Sequence, residues 1–330
     1  MPDFKHILFI ALLLFANLVQ ANTRSFDNNV SINNFINDMV KKHNFNADKL
    51  KKLFAQTHLH QNILDAIARP AESKPWREYR PIFLTRDRLK GGLKFWRENE
   101  ASLRRAHAIF GVPEEIIVAI IGVETRYGKH AGRYPVIDAL ATLAFAYPPR
   151  SPFFRKELRE YLLMSREEGL NPLQQKGSYA GAMGMPQFMP SSFRQYAIDF
   201  NGDGRRDLWR NPSDAIGSVA NYFKKHHWKK GQPIANKVSV RGEAYKKLLG
   251  SNGRHLLKPH LSQQELRTHG IIMPKGLPAN MQGSLIELDG KYGPEQWLVW
   301  PNFYVISRYN HSALYSMSVF QLSQKLRENR

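Results

Sequence analysis

The sequence contains no cysteine. That excludes disulfides, thiol nucleophiles and thiolate metal centres. It also leaves no acceptor for the lipid of a bacterial lipoprotein. Carboxylates are scarce: 28 Asp and Glu stand against 48 Lys and Arg, for a net charge of +20. Such a chain suits an anionic partner, and nucleic acid, anionic lipid and cell-wall polymer all qualify by charge. The basic residues are spread along the chain without zinc-finger spacing or an RNP-like aromatic motif, so nucleic acid is the weakest of the three. Internal repeats, low-complexity tracts, Ser/His/Asp triads and phosphate-binding glycine loops are also missing.

What is present begins with a leader. Lys5 and His6 precede the apolar run Ile7–Ala16, too short to span a bilayer comfortably. Val19, Gln20 and Ala21 then offer small residues at cleavage spacing. The expectation is a signal peptide over 1–21 and a mature chain soluble in an extracytoplasmic space; an uncleaved anchor is the alternative. At 330 residues, 42% of them hydrophobic and 12% aromatic, the chain is globular and long enough for about two domains.

Apolar residues recur at helical spacing from 26 to about 110, as in Leu50, Leu53 and Phe54, and again over Asp87–Phe110. Ala71–Phe83 reads as rich in turns. Buried helices and Gly/Pro loops alternate over 111–230. Val238–Val240 and Leu285–Leu288 alternate like short strands within a Gly- and Pro-punctuated region over 231–300. A last segment, 301–330, begins aromatic and ends as a helix.

Three stretches carry chemistry. In Pro113–Gly128, two acids suit a helix N-terminus, then Ile116–Val123 follow with almost no polar face. Glu124 comes at the end of that helix. Loss of water and the negative end of the helix dipole both favour its protonated form and raise its pKa, as a general acid near neutral pH requires. The plainer alternative is that Glu124 points outward or pairs with Arg126. The second stretch, GSYAGAMGMPQFMPSS from Gly177 to Ser192, combines three glycines with Ser178 and Gln187 as hydrogen-bonding groups and Tyr179, Met183, Met185 and Phe188 as apolar surface. The mixture suits a sugar; alternatively the loop only packs helices. In the third, DFNGDGRRDLW, Asp199, Asn201 and Asp203 fall at positions 1, 3 and 5 of a calcium loop, with the Arg205 carbonyl at 7 and Asp207 at 9. Arg210 occupies position 12, where a bidentate Glu belongs. Asp214 is the nearest replacement, and capping the helix opened by Asn211 and Pro212 is its other role. The alternative here is an Asp-Gly turn held by its own side chains. His58, His60, His226 and His227 read as surface residues. Tyr79, Tyr147, Tyr222, Tyr304, Tyr309 and Tyr315 lie near polar or turn residues, and together they fit a glycan cleft.

Taken in order, GVETRYG, DALATLAF, GSYAGAMGMPQFMPSS, DFNGDG, DAIGSVANYF and PNFYVISRYNHS closely resemble the membrane-bound lytic transglycosylase B family of bacterial cell-wall enzymes, over about 75–323. The resemblance implies a mainly α (α+β) fold: a helical domain (22–110), a lysozyme-like core (111–230), a small β-containing region (231–300) and a C-terminal segment (301–330) that returns to the cleft. It implies cleavage of the MurNAc–GlcNAc bond of peptidoglycan with a 1,6-anhydro product. Glu124 becomes the catalytic acid and base, and Ser178 the residue that orients the substrate N-acetyl group. Gln187, Tyr222, Tyr309, Asn310, Tyr315, Tyr79, Met183 and Arg150 become substrate-binding residues. Asp199, Asn201, Asp203, Arg205 and Asp214 become ligands of a structural Ca2+ or Na+. The partners implied are glycan strands and other cell-wall enzymes, with no nucleic acid and no integral membrane anchor, for a periplasmic monomer. A hydrolytic muramidase and a non-catalytic peptidoglycan scaffold are the other readings. Three features depart from the family pattern: Leu208–Asp214 is one residue longer, Pro149 replaces an arginine beside Arg150, and the absent lipobox cysteine resembles the family's soluble members.

Overall fold

The computed structural model describes residues 23–25, 30–68, 74–249 and 258–330, the first three by backbone alone. The expected leader, 1–21, lies outside the described residues. The described chain is mainly helical with short strands, the α+β class that the periodicity predicts. It divides into two compact units, one formed by 74–127 and 216–330, the other by 23–68 and 128–215.

The first unit is built round the helix Glu114–Thr125. Residues 116–123 of this helix are all buried, as its lack of a polar face requires. It packs against the helices Ala313–Glu328, Arg86–Glu98 and Glu100–Phe110. At its start, Trp96 Nε1 donates to Glu114 Oε2 at 2.7 Å. Arg330 stacks over the Trp96 ring at 4.4 Å and donates to the same carboxylate at 3.1 Å. At its end the chain turns through two consecutive left-handed residues, Arg126 (φ 49°) and Tyr127 (φ 63°). Non-glycine residues there persist only where their surroundings dictate it. Tyr127 supplies that constraint. Its hydroxyl donates to the Arg88 carbonyl at 2.9 Å, and its ring stacks 5.7 Å from Phe95. The ring fills a slot left by Gly91, Gly92 and Gly122, where any Cβ would stand 2.5–3.1 Å from Tyr127 atoms.

Beside these helices, three antiparallel strands run in the order Ala235–Lys237, Gly293–Val299, Ser284–Gly290, with Ile286 opposite Trp297. They carry their own core, including Tyr245, Leu266, Ile271, Leu298 and Trp300. Trp300 Nε1 donates to Asn236 Oδ1 at 2.7 Å.

In the second unit the helix Val136–Ala146 packs on Ser151–Glu167. Phe35, Phe54 and Phe145 meet edge to face with centroids 5.9–6.3 Å apart. Two-stranded pairs join Thr23–Ser25 to His58–His60 and Tyr134–Pro135 to Lys176–Gly177.

Local signals misled at several points. The segment expected as turns contains the helix Trp76–Phe83, in spite of Pro81. Trp76, Tyr79 and Phe83 share one face and are buried, and that burial outweighs the proline. Asp87–Phe110 is two helices, parted at Asn99. The strand expected at Val238–Val240 lies at Ala235–Lys237. The aromatic segment after Trp300 is itself a helix, Pro301–Tyr309.

The glycine slot is open to test. Gly122→Ala places a methyl within 2.5–2.6 Å of the Tyr127 ring and hydroxyl. Overpacking of this kind costs about 1–3 kcal/mol. Urea denaturation is expected to show that loss; an unchanged midpoint would contradict the tight fit.

Candidate active site

Helix termini position the residues round Glu124. Glu124 is the penultimate residue of its helix. Arg88 lies in the first turn of Arg86–Glu98, where its N–H donates to the capping Thr85 Oγ1 at 3.2 Å. Tyr315 lies in the first turn of Ala313–Glu328, its N–H donating to the capping Ser312 Oγ at 3.3 Å. Tyr309 closes the helix Pro301–Tyr309.

The Tyr315 hydroxyl donates to Glu124 Oε1 at 2.5 Å. Burial pushes the Glu124 pKa up to about 7; the Tyr315 hydrogen bond and the Arg88 guanidinium pull it down, but less. Glu124 keeps some accessible surface, so it is shielded from bulk water without being sealed. Burial and the nearby Glu124 hold the Tyr309 and Tyr315 hydroxyls well above the usual phenol range, so both stay protonated donors. The arrangement gives an acid that exchanges its proton near neutrality and a donor that greets the carboxylate once the proton has left.

Tyr222 and Tyr309 come together, with ring centroids 4.8 Å apart, and the Tyr222 hydroxyl donates to the Arg308 carbonyl at 2.5 Å. His226, expected at the surface, is half-buried 4.2 Å from the Tyr222 ring. Burial first, then Arg308, His227 and His311, lower its pKa to about 4. Asn310 is buried at the turn into the next helix. Tyr79 exposes no surface and stacks between Trp76 and Phe83. It stands among the groups that raise Tyr315, which makes it a residue behind the site, not on its face.

The other expected residues belong to the second unit. Ser178 is buried, and its Oγ accepts the N–H groups of Ala180 (3.3 Å) and Ala182 (3.0 Å). With its acceptor side occupied, the hydroxyl hydrogen is what it has left to offer. Gln187 donates its amide N–H groups to the carbonyls of Gly184 (2.9 Å) and Ala131 (3.2 Å). Met183 is fully buried in the core, and its backbone pairs with Phe188. Arg150 lies over the Phe153 ring at 4.5 Å, and burial lowers its pKa. The loop's glycines approach the protein itself: a Cβ at Gly177 would meet the Ala182 carbonyl at 2.4 Å, and one at Gly184 the Leu208 carbonyl at 2.5 Å. His60, also expected as a surface residue, places Nε2 2.8 Å from the buried Asp138.

In the calcium-like loop, Asp199 accepts the N–H groups of Gly202 (2.7 Å), Asp203 (3.2 Å) and Gly204 (2.7 Å). Asn201 Nδ2 donates to Asp203 Oδ2 at 2.8 Å. Asp199, Asn201 and Asp203 lie toward the loop's exposed surface, and their oxygen donors suit a hard cation. Asp214 fits less well. It is fully buried; Oδ1 accepts from Phe200 N (2.8 Å) and Asn201 N (3.3 Å), and Oδ2 from Asp207 N (2.9 Å). As arranged, it staples the loop to the helix Pro212–Lys225. Among the described residues no three His, Asp or Glu side chains gather closely enough to hold a metal.

Arg88 and Tyr127 were not singled out from sequence. Arg88 did carry a signal: it shares the buried stripe of its helix with Gly92, Phe95 and Trp96, an unusual place for a cation.

With this geometry in place, the comparisons are informative. Residues 27–324 match the family described as Transglycosylase SLT domain. The chain is 45% identical over 309 residues to membrane-bound lytic murein transglycosylase B of Escherichia coli K12, covering 91% of this chain and 83% of that one. The Escherichia coli lytic transglycosylase Slt35 in complex with calcium superposes with a TM-score of 0.84 at 44% identity, over 92% of this chain and 95% of that one. SltB3 of Pseudomonas aeruginosa in complex with NAG-anhNAM-pentapeptide gives 0.78 at 30% identity, over 89% and 78%. The chain belongs to the Transglycosylase SLT domain family, and its fold is that of these lysozyme-like enzymes.

Glu124 also gives a stability test. Its folded pKa lies above the value of 4.5 for an unburied Glu. The folded state therefore holds a proton between about 4.5 and 7 that the unfolded chain releases, and stability is lost as pH rises through this window. Above pH 7 the buried charge costs on the order of 3 kcal/mol. Glu124→Gln is expected to melt higher than the wild type at pH 8 and to lose that advantage by pH 5. An equal difference at both pH values would contradict the buried-acid assignment.

Proposed function

We propose that the chain is a periplasmic peptidoglycan lytic transglycosylase that cleaves the MurNAc–GlcNAc β-1,4 bond and leaves 1,6-anhydro-MurNAc ends, with Glu124 acting first as acid and then as base. The observation that carries this reading is the Glu124 carboxyl group, poised near pH 7 with the Tyr315 hydroxyl on it. Hydrolases of the ordinary kind use two carboxylates across the scissile bond. Among the described residues, the other carboxylates raised by burial are engaged within the fold. Glu157 is held by the N–H and hydroxyl of Ser191, and Asp214 by three N–H groups.

In the proposed sequence Glu124 protonates the leaving O4 of GlcNAc as the glycosidic bond breaks. The 2-acetamido carbonyl of the MurNAc stabilises the anomeric carbon, and Ser178 orients it with its hydroxyl hydrogen. Tyr315 donates to the carboxylate thus formed. Glu124 then takes the proton of the MurNAc 6-hydroxyl as that oxygen bonds to the anomeric carbon. The acid is restored and no water is consumed. Tyr222, Tyr309, Asn310, Gln187 and Arg150 are proposed to line the sugar site. Tyr79 supports Tyr315 from behind, and Met183 shapes the Ser178 loop from within. The four-part division of the chain at 110, 230 and 300 remains the proposed functional layout.

Muropeptide mass spectrometry on purified sacculi tests the reaction. Wild type is expected to release anhydro products, lighter than hydrolysis products by one water. Glu124→Gln is expected to lose activity by roughly 10²–10⁴-fold while staying folded. Since the Tyr315 bond lowers the Glu124 pKa, Tyr315→Phe is expected to move the alkaline limb of the pH–rate profile upward from about 7. Products carrying the added water would show hydrolysis instead, and full activity in Glu124→Gln would remove Glu124 from the chemistry.

The loop of Asp199, Asn201, Asp203 and the Arg205 carbonyl is proposed to hold a structural Ca2+ or Na+. The calcium-complexed relative supports the choice. When bound, the ion would supply cross-linking of the loop and no chemistry. Millimolar Ca2+ is expected to raise the melting temperature of the wild type and not that of Asp199→Asn. Equal shifts in both proteins would place the ion elsewhere.

A further inference from the structure

The β-containing region carries a groove that the proposed reaction does not use. It encloses about 580 Å³ and shares no lining residue with the Glu124 site. Two backbone rungs fix its walls: Arg241 N–H to the Gly270 carbonyl at 2.8 Å, and Ile272 N–H to the Ser239 carbonyl at 3.0 Å. Beneath it lies the small core, through the buried Ile271 and through Met273 and Leu277 packed on that core. The groove is therefore part of a built scaffold.

Its lining is charged in one sense. Arg241, Arg267 and Lys275 line it, and among the described residues no Asp or Glu does. Nearby ion pairs engage other residues, Lys237 with Glu295 and Lys246 with Glu243. Arg267 donates to the Gln263 amide oxygen at 3.4 Å, inside the groove. Ile272 is 48% exposed in the lining, one of only four large apolar side chains so exposed among the described residues.

We propose that this groove is a second binding site, for the carboxylate-bearing peptides of the wall polymer, and that it holds the enzyme on that polymer apart from the reacting sugar. This rests on the peptidoglycan reading given above. Guanidinium groups match carboxylates in planar, two-pronged pairs. Ile272 and Met273 offer apolar contact to small aliphatic side chains such as alanine methyls. A sugar chain would call for flat aromatic surface, and among the described residues the lining has no aromatic one. A phosphate polymer would use the charges and leave the apolar strip idle.

The test compares the mature protein with the triple variant Arg241→Ala, Arg267→Ala, Lys275→Ala in pelleting assays at fixed salt. The two polymers are intact sacculi and glycan strands stripped of peptides by an amidase. The triple variant is expected to bind intact sacculi about tenfold more weakly, from three exposed ion pairs. It is expected to bind stripped strands like the wild type and to melt at the same temperature. Lys275→Ala alone, at an exposed residue, is expected to lose about twofold and guards against misfolding of the triple variant. Wild-type affinity for intact sacculi in both variants overturns the proposal and leaves the catalytic reading standing. So does an equal loss on stripped strands. A wild type that binds neither wall polymer overturns the peptidoglycan reading and this proposal with it.

Discussion

The desolvation of one carboxyl group at the end of a buried helix is the constraint to which the surrounding structure answers. Glu114–Thr125 gives its whole central surface to the core, so Glu124 emerges where water is sparse and the helix dipole is negative. Burial by itself would raise such a group further. The Tyr315 hydroxyl and the Arg88 guanidinium lower it again, to about 7. Each comes from the first turn of its own helix, and a capping Thr85 or Ser312 sets that turn. Tyr127 ties the same corner down by reaching from the end of the Glu124 helix to the Arg88 carbonyl.

Burial alone does not leave a carboxyl group free to exchange its proton. Glu157 and Asp214 are buried and raised as Glu124 is, yet their oxygens are spent on the backbone and on Ser191. They stiffen a helix start and a loop. Glu124 faces a side-chain hydroxyl and keeps some exposure. The difference lies in the partner, and the partner decides whether a proton can leave and return.

The excess of basic residues has a related logic. Several pair on the surface, as Lys42 does with Asp38 and Lys94 with Glu98. Arg241, Arg267 and Lys275 gather instead in a groove whose described lining holds no carboxylate. A strongly cationic chain is thus divided between charges neutralised locally and charges presented outward.

Much of this was legible in the sequence. The nearly unbroken apolar run before Glu124 dictates a buried helix whatever its neighbours are, and the motifs over 122–312 are long enough to carry the family. Local patterns do not encode which distant residues meet. Trp76–Phe83 became a helix because its face found a core, against the advice of Pro81. Met183 and Tyr79 read as sugar-facing and are buried, since side-chain type says nothing of direction. Asp214 read as a ligand, and its oxygens went to N–H groups 7, 13 and 14 residues away. Arg88 passed unnoticed, because its importance lies in approaching a carboxylate on another helix. The sequence by itself determined the helix and the acid at its end, which follow from the order of residues along one stretch, and the class of enzyme, which the resemblance of the motifs over 122–312 carries. Only the tertiary structure decided the strength of the acid, because burial and the approach of Tyr315 and Arg88 depend on contacts between segments far apart in the chain.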